Sequence, residues 1–113
     1  MRVEDSKVEA LTIYEAERLD PILVMMQDFG GGRGRLIVEC WGEAWSSYWG
    51  AMGDDTGLKK FVVGCHPAYI VNRMWGPNHK RAKHGPAYLE RIIKAVQEAL
   101  RAQVQHKPSQ PNE

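Results

Sequence analysis

Cys40, Cys65, His66, His79 and His84 carry the groups best suited to bind a soft metal or to attack an electrophile. Their spacing argues against both. Structural zinc sites draw on closely spaced cysteine pairs, and here the two cysteines are far apart while Cys65 and His66 are adjacent. Neighbours on a strand point to opposite faces, which would part the thiol from the base that activates it. A loop or helix start at Pro67 is the plainer reading of that pair, and Cys40 in its apolar run reads as a small core residue. Asp54 and Asp55 have no third carboxylate nearby, so they fit a helix cap better than a divalent-ion site. "DFG" at residues 28–30 matches a kinase metal motif, but none of the other kinase elements accompanies it. The chain therefore reads as having no catalytic set, no metal and no cofactor, and as not an enzyme.

Binding chemistry is better represented. "GGGRGR" lacks the Lys-Ser/Thr of a phosphate-binding loop and reads as a mobile hairpin connection, with Arg33 and Arg35 placed to meet phosphate or an acidic surface. "NHKRAKH", residues 78–84, holds Lys80, Arg81 and Lys83 and would make salt-sensitive contacts to a nucleic-acid backbone. No aromatic residue in that run can stack on a base, so a solvated linker is the competing reading. "ECWGEAWSSYWGAMG", residues 39–53, sets Trp41, Trp45 and Trp49 four apart, a spacing compatible with one helix side or one strand face.

These residues need elements to position them. Residues 7–14 alternate as a strand, with a helix as the rival reading; "ILVMMQDF" reads as a second strand and "RLIVECW" as a third. Gly42 and Glu43 suit a two-residue turn that sets Trp41 opposite Ala44 and starts a fourth strand, "AWSSYW". Leu36, Val38, Cys40, Trp45 and Trp49 then share an apolar face, while Ile37, Glu39, Trp41, Ser46 and Tyr48 share a mixed one. Short helices follow in "TGLKKFVVGC" and from Pro67, and in an alternative arrangement this stretch forms a second layer over the mixed face; residues 86–104 form the clearest helix, its apolar stripe running through Leu89, Ile92, Ile93, Val96, Leu100 and Val104. The expected fold is α+β: an antiparallel β-meander of three to four strands packed against a C-terminal helix, with short helices between. Residues 1–104 make one such domain and the polar residues 105–113 a disordered tail.

Composition narrows the partners. In 113 residues, 15 Lys and Arg face 14 Asp and Glu, a formal net charge of +1 that argues against a dominant electrostatic partner such as duplex DNA. No apolar run reaches the roughly 20 residues that span a bilayer, and two cysteines without a signal-like start suit free thiols in a reducing cytoplasm. No membrane partner is expected.

Over roughly residues 7–75, "VECWGEAWSSYWGAMG" with its flanking "LDPILVMMQDFGGGRGRL" and "TGLKKFVVGCHPAYIVNRM" resembles a group of small bacteriophage and prophage proteins that share an E-C-aromatic-G-x-A-W-x-x-Y-W-G-x-M-G signature. The resemblance implies a phage accessory protein acting in the host cytoplasm on DNA-processing or defence machinery. The leading expectation is a protein that binds and modulates a host complex, with an anti-CRISPR-like inhibitor as one subclass. Trp41, Tyr48, Arg33 and Arg35 are its expected contact residues. The alternative is nucleic-acid binding in phage recombination or replication through Lys80, Arg81 and Lys83.

Overall fold

The computed structural model of the chain describes residues 1–53, 56–79 and 84–105. Four strands, β1 (Glu9–Ile13), β2 (Ile22–Gly30), β3 (Arg33–Cys40) and β4 (Glu43–Trp49), form one antiparallel sheet in sequence order. Three helices follow: α1 (Leu58–Gly64), α2 (Pro67–Met74) and α3 (Pro86–Gln105), with a 3-10 turn at Pro77–His79. The meander and C-terminal helix expected from the sequence are both present.

Both tight hairpins need positive φ at two successive residues, as turns matched to the twist of the strands do. Gly31 and Gly32 supply it between β2 and β3, with φ of 62° and 78°. That loop is tied down rather than mobile: Met52 N–H donates to the Gly32 carbonyl (2.8 Å), and a Cβ on Gly32 would lie 2.9 Å from the Gly53 oxygen. Between β3 and β4 the turn residues are Trp41 (φ 56°) and Gly42 (φ 81°), so the expected turn at Gly42 and Glu43 is one residue late. Cys40 pairs with Glu43, Val38 with Trp45 and Arg35 with Tyr48. The register differs from expectation by two positions, and an even slip leaves every strand residue on its expected face. Only Trp41 leaves the mixed face, because it belongs to the turn.

One sheet face is closed. Ile22, Val24, Met26, Leu36, Val38, Cys40, Trp45 and Trp49 are buried there with Leu58, Val62, Ile70, Met74 and the α3 residues Leu89, Ile92, Ile93, Val96 and Leu100. Gly34 lets this layer approach: a Cβ there would stand 3.1 Å from a Leu58 methyl and 3.2 Å from the Met52 methyl. Trp45 is only 1% exposed, and its indole N–H has no partner among the described residues.

Helix starts are satisfied in different ways. Pro67 and Pro86 open α2 and α3, where a missing N–H costs nothing. α1 starts after Gly57, which brings no capping side chain, and its Leu58 N–H is instead met by the Asp28 carboxylate of β2 at 3.0 Å. Asp54 and Asp55, the expected caps, lie outside the described residues, as do Lys80, Arg81, Lys83 and residues 106–113 of the expected tail.

Candidate functional site

All three described helices pack on the closed face, so the alternative in which a second helical layer covers the mixed face does not occur among the described residues. The open face takes the alternate positions: Ala10 and Thr12 from β1, Leu23, Met25, Gln27 and Phe29 from β2, Arg33, Arg35, Ile37 and Glu39 from β3, and Ala44, Ser46 and Tyr48 from β4. Leu23, Met25 and Ile37 are half-buried at its centre.

Aromatic and cationic groups meet at the end near the β2–β3 turn. Phe29 and Tyr48 stand 6.3 Å apart between ring centroids, and the Arg35 guanidinium lies 5.7 Å from the Phe29 centroid and 5.9 Å from the Tyr48 centroid. The Gln27 side-chain oxygen accepts a hydrogen bond from Arg35 (3.1 Å) and fixes its direction. Phe29 and Tyr48 remain 42% and 44% exposed, and Arg33 is exposed on the same face one step nearer the turn. A bulge lies between Asp28 and Gly30, and Phe29 is the residue it adds. Behind Tyr48, Arg73 of α2 donates to its carbonyl and to the Ser47 hydroxyl, and lies 5.7 Å from the Trp49 ring.

Three of the four expected contact residues, Tyr48, Arg33 and Arg35, are thus brought together, and Phe29 joins them. Strand alternation carried the signal for Phe29, since it is in phase with Leu23, Met25 and Gln27. Trp41 is separate: it sits in the β3–β4 turn, six residues along β3 from Arg35, about 20 Å away at strand rise.

Around Trp41 a recess of about 530 Å³ is lined by Arg18, Asp20, His84, Tyr88 and Arg91. Trp41 is 56% exposed and meets His84 edge-on at 6.2 Å, while His84 stacks on Tyr88 at 4.1 Å. Arg91 Nη2 is committed to the carbonyls of Glu17 (3.3 Å) and Arg18 (2.9 Å), which pins the β1–β2 loop to α3.

The sulfur and imidazole groups have structural duties. Cys40 Sγ lies 3.3 Å from the Tyr88 hydroxyl and donates to the Asp20 carbonyl at 3.5 Å. Burial pushes the Cys40 and Cys65 thiols and the Tyr88 phenol above their ordinary pKa values. His66 Nδ1 accepts the Ala68 N–H (3.1 Å) as the cap of α2. His79 stacks on Trp45 (5.9 Å) and lies tilted against Trp75 (5.4 Å). No group of three or more His, Cys, Asp or Glu able to hold a metal occurs among the described residues, and no described helix is long and apolar enough to cross a membrane.

A family model described as a phage family, Phage_phiTE_072, matches residues 1–84, which takes in the whole sheet, α1 and α2. No curated protein and no solved structure matches the chain.

Proposed function

The chain belongs to that phage family, and from this premise we propose that it is a non-catalytic accessory protein that binds a host protein through its open sheet face. The observation that carries the reading is one-sided layering: every described helix covers the same face, leaving Leu23, Met25 and Ile37 half-buried beside exposed Phe29 and Tyr48. Aromatic residues and arginine dominate interface hot spots, and contiguous exposed apolar surface marks interaction sites. Arg33 and Arg35 call for an acidic margin on the partner. The partner proposed is a component of a host defence or DNA-processing complex, inhibited by occupation of its surface.

Affinity capture from nuclease-treated host lysate tests this. Tyr48→Ala and Arg35→Ala should each weaken recovery of the captured protein by about 30-fold, the hot-spot threshold, without lowering the melting temperature appreciably. Undiminished capture by both variants would overturn the assignment of the face.

Nucleic-acid binding is the second reading, favoured by two exposed rings and an arginine on an open sheet, a surface on which bases can stack. It requires steeply salt-sensitive binding to single strands that fails in Tyr48→Ala or in the triple alanine variant of Lys80, Arg81 and Lys83.

A further inference from the structure

The recess around Trp41 takes no part in the contact proposed above, and three segments distant in the chain converge to build it. The β1–β2 loop supplies Arg18 and Asp20, the β3–β4 turn supplies Trp41, and α3 with its approach supplies His84, Tyr88 and Arg91. The backbone of the loop is fixed. Arg91 Nη2 donates to the Glu17 and Arg18 carbonyls, Cys40 Sγ to that of Asp20, and Leu19 N–H to the Ala16 carbonyl at 3.0 Å. The Arg18 and Asp20 side chains are left out of these ties: neither makes a hydrogen bond or an ion pair among the described residues, and neither do Nε and Nη1 of Arg91. Two guanidiniums and a carboxylate therefore share one recess without pairing.

The loop and the turn also hold strained backbone. Positive φ disfavours any residue with a Cβ, and among the described residues only Glu15 (63°), Arg18 (60°) and Trp41 (56°) adopt it without being glycine. Arg18 and Trp41 both line the recess. Neither side chain offsets the strain by packing in the core, since Arg18 is exposed and Trp41 is 56% exposed. Strain with no packing offset is characteristic of ligand sites.

We infer that the recess binds a nucleoside 5′-monophosphate, guanine preferred, either free or at the end of a single strand. Its volume of about 530 Å³ lies within the range of small-molecule sites, about 300–1,000 Å³. The exposed indole offers a face on which a base stacks, and His84, edge-on to it and stacked on Tyr88 at 4.1 Å, braces it. Arg18 and Arg91 offer N–H donors in the geometry that suits a phosphate. With two guanidiniums against one carboxylate the surplus charge is positive, which matches a phosphate dianion better than the single carboxylate of a free amino acid. Asp20 accepts from donors on the edge of the base. Guanine presents a ring N–H and an amine side by side, matching both oxygens of a carboxylate, whereas uracil presents one N–H.

Calorimetric titration of the full chain tests this. Guanosine 5′-monophosphate should bind with a Kd below about 1 mM, and guanosine, uridine 5′-monophosphate and inorganic phosphate should each bind at least about tenfold more weakly. Arg18→Gly, which suits the left-handed backbone, should melt no earlier than the parent and lower affinity for the nucleotide at least about tenfold. Trp41→Ala should lower it at least about fivefold. Asp20→Asn should erase the preference for guanine, since an amide matches the donor and acceptor edge of uracil. Tighter binding of a single strand that begins with a 5′-phosphorylated guanosine would assign the recess to strand ends, and tighter binding of the free nucleotide would assign it to free nucleotides. No binding up to about 1 mM would overturn the inference. So would inorganic phosphate or free tryptophan binding as tightly as the nucleotide, an affinity indifferent to both Arg18→Gly and Trp41→Ala, or a guanine preference that survives Asp20→Asn.

Discussion

Trp41 and Trp45 differ by four positions and occupy opposite environments: one is more than half exposed in a turn with positive φ, the other is sealed beneath α3 and the 3-10 turn. Trp45→Ala should therefore lose about 3–5 kcal/mol in urea unfolding, the range for truncating a large buried aromatic. Trp41→Ala should lose no more than about 1.5 kcal/mol, since more than half of its surface stays in water and less apolar area is at stake than for a fully buried ring. Equal losses would make Trp41 a core residue after all. Strand parity made the burial of Trp45 and Trp49 legible in the sequence. The place of Trp41 was not, because a left-handed turn position favours Gly, Asn or Asp and a bulky indole there runs against that preference. Phe29 was legible as the last alternating residue of "ILVMMQDF", but the bulge that carries it was not.

At the scale of elements, α1 depends on a residue far from it in the chain. Asp28 accepts from Leu58 N–H with one carboxylate oxygen and from Gly30 N–H with the other, each at 3.0 Å, and these two bonds hold its pKa below the ordinary aspartate value. A carboxylate with a depressed folded pKa contributes stability that is fully present above its ordinary unfolded pKa of 3.8 and is lost as pH falls through the folded value. Asp28→Ala should cost about 1 kcal/mol at neutral pH, as loss of a helix cap does, and the gap from the parent should shrink as pH drops below 3.8. Melting curves at several pH values decide it; a gap that stays constant or widens on acidification would remove Asp28 from this role. Proline at the first helical position announced α2 and α3 in the sequence. The start of α1 carried no such local mark, since its cap comes from β2.

For the whole molecule, the apolar stripe of α3 foretold a helix lying over the sheet, and a polar residue within the buried surface supplies a tie that periodicity does not reveal. Gln97 is buried and its Nε2 donates to the carbonyls of Val62 (3.1 Å) and Cys65 (2.7 Å), where α1 ends and α2 is about to begin. Gln97→Leu should destabilise by about 1–3 kcal/mol despite adding apolar surface, because the buried Cys65 carbonyl loses its donor and the Val62 carbonyl keeps only the longer bond from Cys65 N–H (3.3 Å). Thermal unfolding as late as the parent's would show that packing alone joins these helices. The layering itself was only half legible: alternation defined two faces, but the side taken by α1 and α2 depends on contacts with α3 and the closed face that no local pattern encodes. The sequence order of the sheet also has a consequence in time. Every strand pairs with its immediate predecessor, so on a ribosome β1 through β4 can be complete once Trp49 has emerged, whereas Leu100, which helps seal the core, follows roughly 50 residues later, about 3 to 10 s at ordinary translation rates. Until then the face destined for the interior, the more apolar of the two, lacks its α3 cover.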